Sequence, residues 1–189
     1  VGGVLMDRKI SYEEAEELLR TRLSENKNLE GLFNHSRAVA DFLYDVCVRL
    51  NKLHPELNID SEKMRIVGLL HDIGKNGVVS DILHPFTGAN ILREEGLGEL
   101  GKIVETHSSA MEVAEEKGFV GEFEPKSLEE ELLTYADSHI KHDMVVSFDE
   151  RFNDLLERSK KNPERYKMLV LAKIRIEKII DKIDGLLEN

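Results

Sequence analysis

Cysteine is nearly missing from this chain. The only thiol among 189 residues is Cys47, so no disulfide can form within it, and a reducing, cytoplasmic setting is expected. Cys47 follows Val46 on an apolar helical face and reads as a small core residue. Long apolar runs are missing too. No stretch approaches the roughly 18 residues needed to cross a bilayer, so no membrane partner is expected. Basic charge is in deficit: 26 Lys and Arg face 37 Asp and Glu, for a net charge of −11. A long nucleic-acid strand needs a dominant basic surface and is therefore not the expected partner. A small anion in a local pocket remains compatible with that charge. The segment "VGGVL" before Met6 has no charged leader and is too short for a signal peptide, and residues 1–10 read as an N-terminal tail.

What is present describes a globular, all-α protein. Hydrophobic residues make up 41% and charged residues 33%, and the length suffices to bury a core without staples. Ser11 with Glu14, Ser127 with Glu130 and Ser147 with Glu150 have the spacing of capping boxes at helix starts. Leu32, His35, Val39, Phe42, Val46 and Leu50 recur at three and four, which is one face of a long helix. Asp60 or Ser61 opens a helix through Met64, Val67 and Leu70, and Gly74 lets the chain turn at its end. Gly118 to Lys126 reads as a loop, and Asn162-Pro163 starts the last helix. No run alternates strictly enough to predict a strand; "GVVSDIL" and "MVVSF" are short β-branched patches only. Residues 11–189 therefore read as one helical bundle, with helices over 148–189 able to pack as a lobe of it.

The stretch "GLLHDIGKNG" places His71 and Asp72 at the end of an apolar helix, where ionisable groups cost free energy unless something satisfies them. The His-Asp dipeptide alone is weak evidence, because the chain carries a second one at His142-Asp143. Placement says more. His35 lies on an apolar stripe, His107 follows the stripe Leu100, Ile103 and Val104, His84 sits at a turn before Pro85, and Asp137 follows "LLTYA". A lone core histidine is usually a satisfied core residue. Four inward histidines with two aspartates are hard to satisfy pairwise. Imidazole and carboxylate are also the ligand types for Zn, Mn, Fe, Co and Ni. No set of thiolates is available for a structural zinc knot.

In this order the residues His35, His71-Asp72 and Asp137 resemble the defining pattern of the HD domain superfamily of metal-dependent phosphohydrolases, and "HDIGK" is similar to its central motif. The intervening His84 and His107 resemble the extra ligands of its two-metal, HDIG-type members. The resemblance covers roughly Gly31 to Lys141. It implies an all-helical fold around a metal site. It also implies that His35, His71, Asp72 and Asp137 hold a first divalent ion, and that Asp72 bridges to a second completed by His84 and His107. The ions implied are Mn, Fe, Co, Ni or Zn, with Mg also open. Their chemistry fits: a bridging carboxylate can hold two cations about 3.5–4 Å apart, and coordination lowers the pKa of water so that a nucleophile exists near neutral pH. Asp72 and Lys75 are the candidate catalytic residues. Lys75, Lys141 and His142 are the candidate contacts to substrate phosphate, each weighed against a plain solvated cation.

Departures from family patterns narrow the substrate. After the central motif, "HPFTGANIL" carries no Gly-Tyr-Pro signature of the cyclic-dinucleotide members, and "HDIGKNG" has no acidic pair of the alarmone hydrolases. A small phosphorylated, nucleotide-like substrate is expected, cleaved at an ester or anhydride bond, as in the dinucleoside-polyphosphate hydrolases among the small two-metal proteins. Two alternatives stand beside this reading. A di-iron oxygenase could share the six-ligand set, and an HD-like signalling module would need none of it. A homo-oligomer is left open.

Overall fold

A computed structural model describes residues 7–77 and 80–188. Residues 1–6 of the expected tail and the Val78-Val79 patch lie outside the described residues. Among those described are α1 (Tyr12–Arg22), α2 (Leu29–Leu53), α3 (Ser61–Leu70), α4 (His84–Glu94), α5 (Gly98–Val104), α6 (Ala110–Lys117), α7 (Leu128–Asp137), α8 (Phe148–Ser159) and α9 (Pro163–Glu188). The fold is all-α, as expected.

Local chemistry sets the helix starts. Glu14 N–H donates to Ser11 Oγ at 3.1 Å and Ser11 N–H donates to Glu14 Oε2 at 2.7 Å, a complete capping box for α1. Ser127 and Glu130 build the same box for α7. Asp60 caps α3 by accepting from Lys63 N–H at 2.9 Å. The third expected box is only half made. Ser147 accepts from Glu150 N–H at 3.2 Å, but the Glu150 carboxylate turns away to Lys141 at 3.1 Å.

The core forms around α2 and α3. Phe33, Val39, Leu43, Leu50, Met64, Val67 and Leu70 are buried there, and Cys47 sits among them. A Cβ on Gly68 would lie 2.8 Å from Ala40 Cα, so glycine is what lets the two helices approach this closely. Burial pushes the Cys47 thiol up to about 12, in keeping with a core role. Ala172, Ile176, Ile180 and Ile183 of α9 are buried in the same apolar cluster.

One element departs from the sequence reading. Ile140–Lys141 (β1) and Met144–Val145 (β2) form a small antiparallel hairpin, paired Ile140 to Val145 and Lys141 to Met144. Two residues per strand are too few to show alternation. The turn is the second His-Asp dipeptide, with His142 at φ 57°.

Candidate metal centre

Six side chains converge from five elements. His35 projects from the first half of α2. His71 and Asp72 follow the last turn of α3, Asp137 closes α7, His84 opens α4, and His107 lies just beyond α5. His71, Asp72 and His107 are completely or almost completely buried, and His35 and His84 are nearly so.

Every one of the four imidazoles is held in the same way. Nδ1 meets a backbone carbonyl: His71 at Gly68 (2.7 Å), His84 at Asp81 (2.5 Å), His107 at Val104 (2.5 Å) and His35 at His142 (2.8 Å). A carbonyl can only accept, so Nδ1 must carry the proton. Three of these bonds reach back three residues. Gly68 and Val104 belong to the last turn of a helix, where carbonyls lack intrahelical partners. The fourth carbonyl comes from the hairpin turn. Burial lowers His71 to about 4 and His84 to about 3, and it lowers His107 as well, so these rings are neutral. Each then directs a bare Nε2 lone pair inward.

Several of the inward atoms have no adequate protein partner. His84 Nε2 and His107 Nε2 face each other at 3.0 Å, two lone pairs that repel unless a cation lies between them. His71 Nε2 and Asp72 Oδ1 are buried without a hydrogen-bond partner. Such groups are costly inside a protein and call for a ligand. His35, His71 and Asp137 form one group able to hold a metal ion, and His71, Asp72 and His107 form another. The donor set therefore fits a divalent metal.

The two carboxylates are held ionised. Burial alone would raise Asp72, but His71, Lys75, His84 and His35 together pull it well below the usual range. For Asp137 the same burial is outweighed by the hydrogen bond from His35 and by the Arg151 charge. Asp72 faces two directions. Its Oδ2 lies 3.4 Å from His71 Nε2 and 3.9 Å from His35 Nε2. Its Oδ1 lies 3.3 Å from His84 Nε2 and 4.0 Å from His107 Nε2. Asp137 Oδ1 lies 3.1 Å from His35 and 3.7 Å from His71, on the Oδ2 side.

Gly74 has a different role from the one its place in "HDIGK" suggests. Its φ is not left-handed; instead a Cβ there would lie 2.1 Å from the His84 carbonyl oxygen and 2.6 Å from Gly88 N. The missing side chain lets the turn carrying Asp72 cross the start of α4, which brings His84 to Asp72. The left-handed turn falls at Gly77, with φ 81°.

A cavity of about 460 Å³ opens onto the centre, and His35, Asp72, His84 and Asp137 are part of its wall. Lys75 also lines it, with Nζ 2.8 Å from Asp72 Oδ2. His142 lines it too, although its contact with the centre is made by its backbone carbonyl. Lys141 is not among the lining residues; its ammonium turns to Glu150 instead. Sequence reasoning passed over Arg151, Arg158 and Arg165, which line the cavity from α8 and α9. A signal existed: Arg151 and Arg158 stand two helical turns apart and so share a face. Arg151 is almost fully buried, with its guanidinium 3.3 Å from Asp137 Oδ1.

The HD domain family matches residues 32–140. An uncharacterised protein of Methanocaldococcus jannaschii is 31% identical over 176 residues, covering 90% of this chain and 99% of that one. No solved structure matches. The chain belongs to the HD domain family, which places it in the superfamily of metal-dependent phosphohydrolases.

Proposed function

We propose that this member of the HD domain family hydrolyses a phosphate ester or anhydride on a small, nucleotide-like molecule with the help of two divalent metal ions. The observation that carries the reading is the division of Asp72, whose Oδ2 faces His35 and His71 and whose Oδ1 faces His84 and His107. One carboxylate flanked on each side by imidazole Nε2 atoms suits a pair of cations. His35, His71, Asp72 and Asp137 hold the first ion, and Asp72, His84 and His107 hold the second. Mn, Fe, Co, Ni or Zn suits the donors, and Mg is the hard alternative. When bound, such ions supply a nucleophile from water near neutral pH and stabilise charge on the phosphoryl oxygens.

The chain's own residues prepare that chemistry. The four carbonyl bonds fix the tautomer and direction of each imidazole, which keeps the donor set assembled. Burial of His71, Asp72 and His107 removes bulk water and strengthens every charge interaction in the centre. Lys75 is a fixed positive charge in the cavity wall, poised to exchange Asp72 Oδ2 for a phosphate oxygen. His142 serves through its carbonyl on His35, and its imidazole is a candidate contact at the cavity wall.

The test is a screen of phosphorylated metabolites under anaerobic conditions, with Mn, Fe, Co, Ni, Zn and Mg supplied separately. Metal-dependent phosphate release from at least one nucleotide-like compound is expected. No phosphate release under any metal, together with oxygen uptake by the iron-loaded protein in a parallel aerobic assay, would assign the centre to an oxygenase instead.

A further inference from the structure

We propose that Arg151, Arg158 and Arg165 form an anion subsite beside the metal centre, which takes a second phosphate group, so that preferred substrates carry at least two linked phosphates. This rests on the metal-dependent phosphohydrolase reading and narrows its substrate class.

The three arginines come from α8 and α9, beyond the residues that match the family, and line the same cavity as the inward carboxylates and imidazoles. They are tied to both sides of the centre. Arg151 contacts Asp137 Oδ1 at 3.3 Å and Asp154 Oδ2 at 3.6 Å. Arg158 contacts that same Asp154 oxygen at 2.9 Å. Arg165 pairs with Asp81, the residue whose carbonyl orients His84. The row thus begins at Asp137, beside the first proposed ion, and ends next to His84, beside the second.

The charges do not balance within the row. Asp72 and Asp137 are proposed metal ligands whose charge a divalent ion takes up, which leaves Asp81, Asp143 and Asp154 against Lys75 and three guanidinium groups. Burial pulls the Arg158 guanidinium below its ordinary value, and the Arg151 and Arg165 charges push the same way against Asp154 and Asp137. Crowded cations with too few carboxylates form a preorganised field for an anion. A guanidinium fork matches two oxygens of a phosphate, whereas an ammonium acts as a point charge. The cavity, at about 460 Å³, lies in the usual range for small-molecule sites and exceeds what one phosphate fills. A substrate spanning from the metals to the arginines therefore needs charge on two neighbouring groups.

The experiment uses Mn-loaded full-length protein, with orthophosphate and pyrophosphate as calorimetric probes. Arg158 is the residue to change, because its side chain is about half exposed and its loss leaves Asp137 and Asp81 with their own partners. Wild type should bind pyrophosphate at least about tenfold more tightly than orthophosphate, the worth of one charged contact. Arg158→Ala should erase most of that excess, and Arg158→Lys should restore part of it. Orthophosphate affinity and bound Mn should stay within about twofold of wild type, since the residue is not a proposed ligand. Chelation of Mn by the probe is common to wild type and variants and cancels in their comparison. An excess that survives in Arg158→Ala, or that wild type never shows, overturns the subsite. Protein that binds neither Mn nor orthophosphate would instead overturn the metal-centre reading on which the subsite rests.

Discussion

The centre and the arm laid over it are built from opposite materials. The centre gathers four imidazoles and two carboxylates, mostly sealed from water, with three of the rings aimed by carbonyls three residues back. The arm, α8 and α9, supplies three arginines paired with carboxylates, some on their own helix, as Arg158 is with Asp154, and one far away in sequence, as Arg165 is with Asp81. Imidazole and carboxylate donors at high density suit a cation, and fixed cations suit an anion. The centre lies on the family-matched residues and the arm beyond them, and both face one cavity. Arg151 joins the two regions, because its guanidinium holds Asp137 while its helix carries Arg158.

The largest effect expected is from Asp72→Asn, because that carboxylate faces both imidazole sets. Activity should fall by more than about 10³-fold and both ions should be lost. Retention of two ions by Asp72→Asn, measured by elemental analysis, would break the central role given to this residue. Next comes Arg151→Ala, which tests the joint between the regions. Freeing Asp137 should lower kcat/KM by about 10–100-fold, with weaker metal affinity. A loss confined to KM, with metal affinity intact, would place Arg151 wholly with the arm.

Gly74→Ala separates folding from chemistry. The new Cβ meets backbone, which cannot swing aside, so unfolding stability should drop by about 3 kcal/mol. Denaturant unfolding with an unchanged midpoint would show that α4 can move away at no cost. Lys141→Ala sits at the small end. Its ion pair with Glu150 is a surface contact, so stability should shift by less than about 1 kcal/mol and kcat/KM should stay within about twofold. A tenfold fall in kcat/KM with intact metal would bring the hairpin back into substrate binding.

The centre was legible in the sequence because its residues break an apolar pattern. His35 and His71 stand where leucine or valine would satisfy the helical period, and only a ligand or an unusual partner explains them. The i−3 carbonyl bonds that aim the rings could not be read, since they depend on where each helix ends to within one residue. The role of Gly74 was hidden for a related reason: its crowding partner is a backbone atom of His84, which no side-chain pattern reports. The hairpin was too short to alternate. The arginines were missed because an arginine on a charged helix reads as solvated. Only the folded chain brings Arg151 to Asp137 and buries it there.

The most direct test of the two-ion centre is elemental analysis of protein purified without chelator and reloaded with Mn, Fe, Co, Ni or Zn, compared with His84→Ala treated identically. The expected result is two ions per chain in wild type and one in His84→Ala, because His35, His71, Asp72 and Asp137 remain. Wild-type protein that takes up no ion from any of these metals would contradict it.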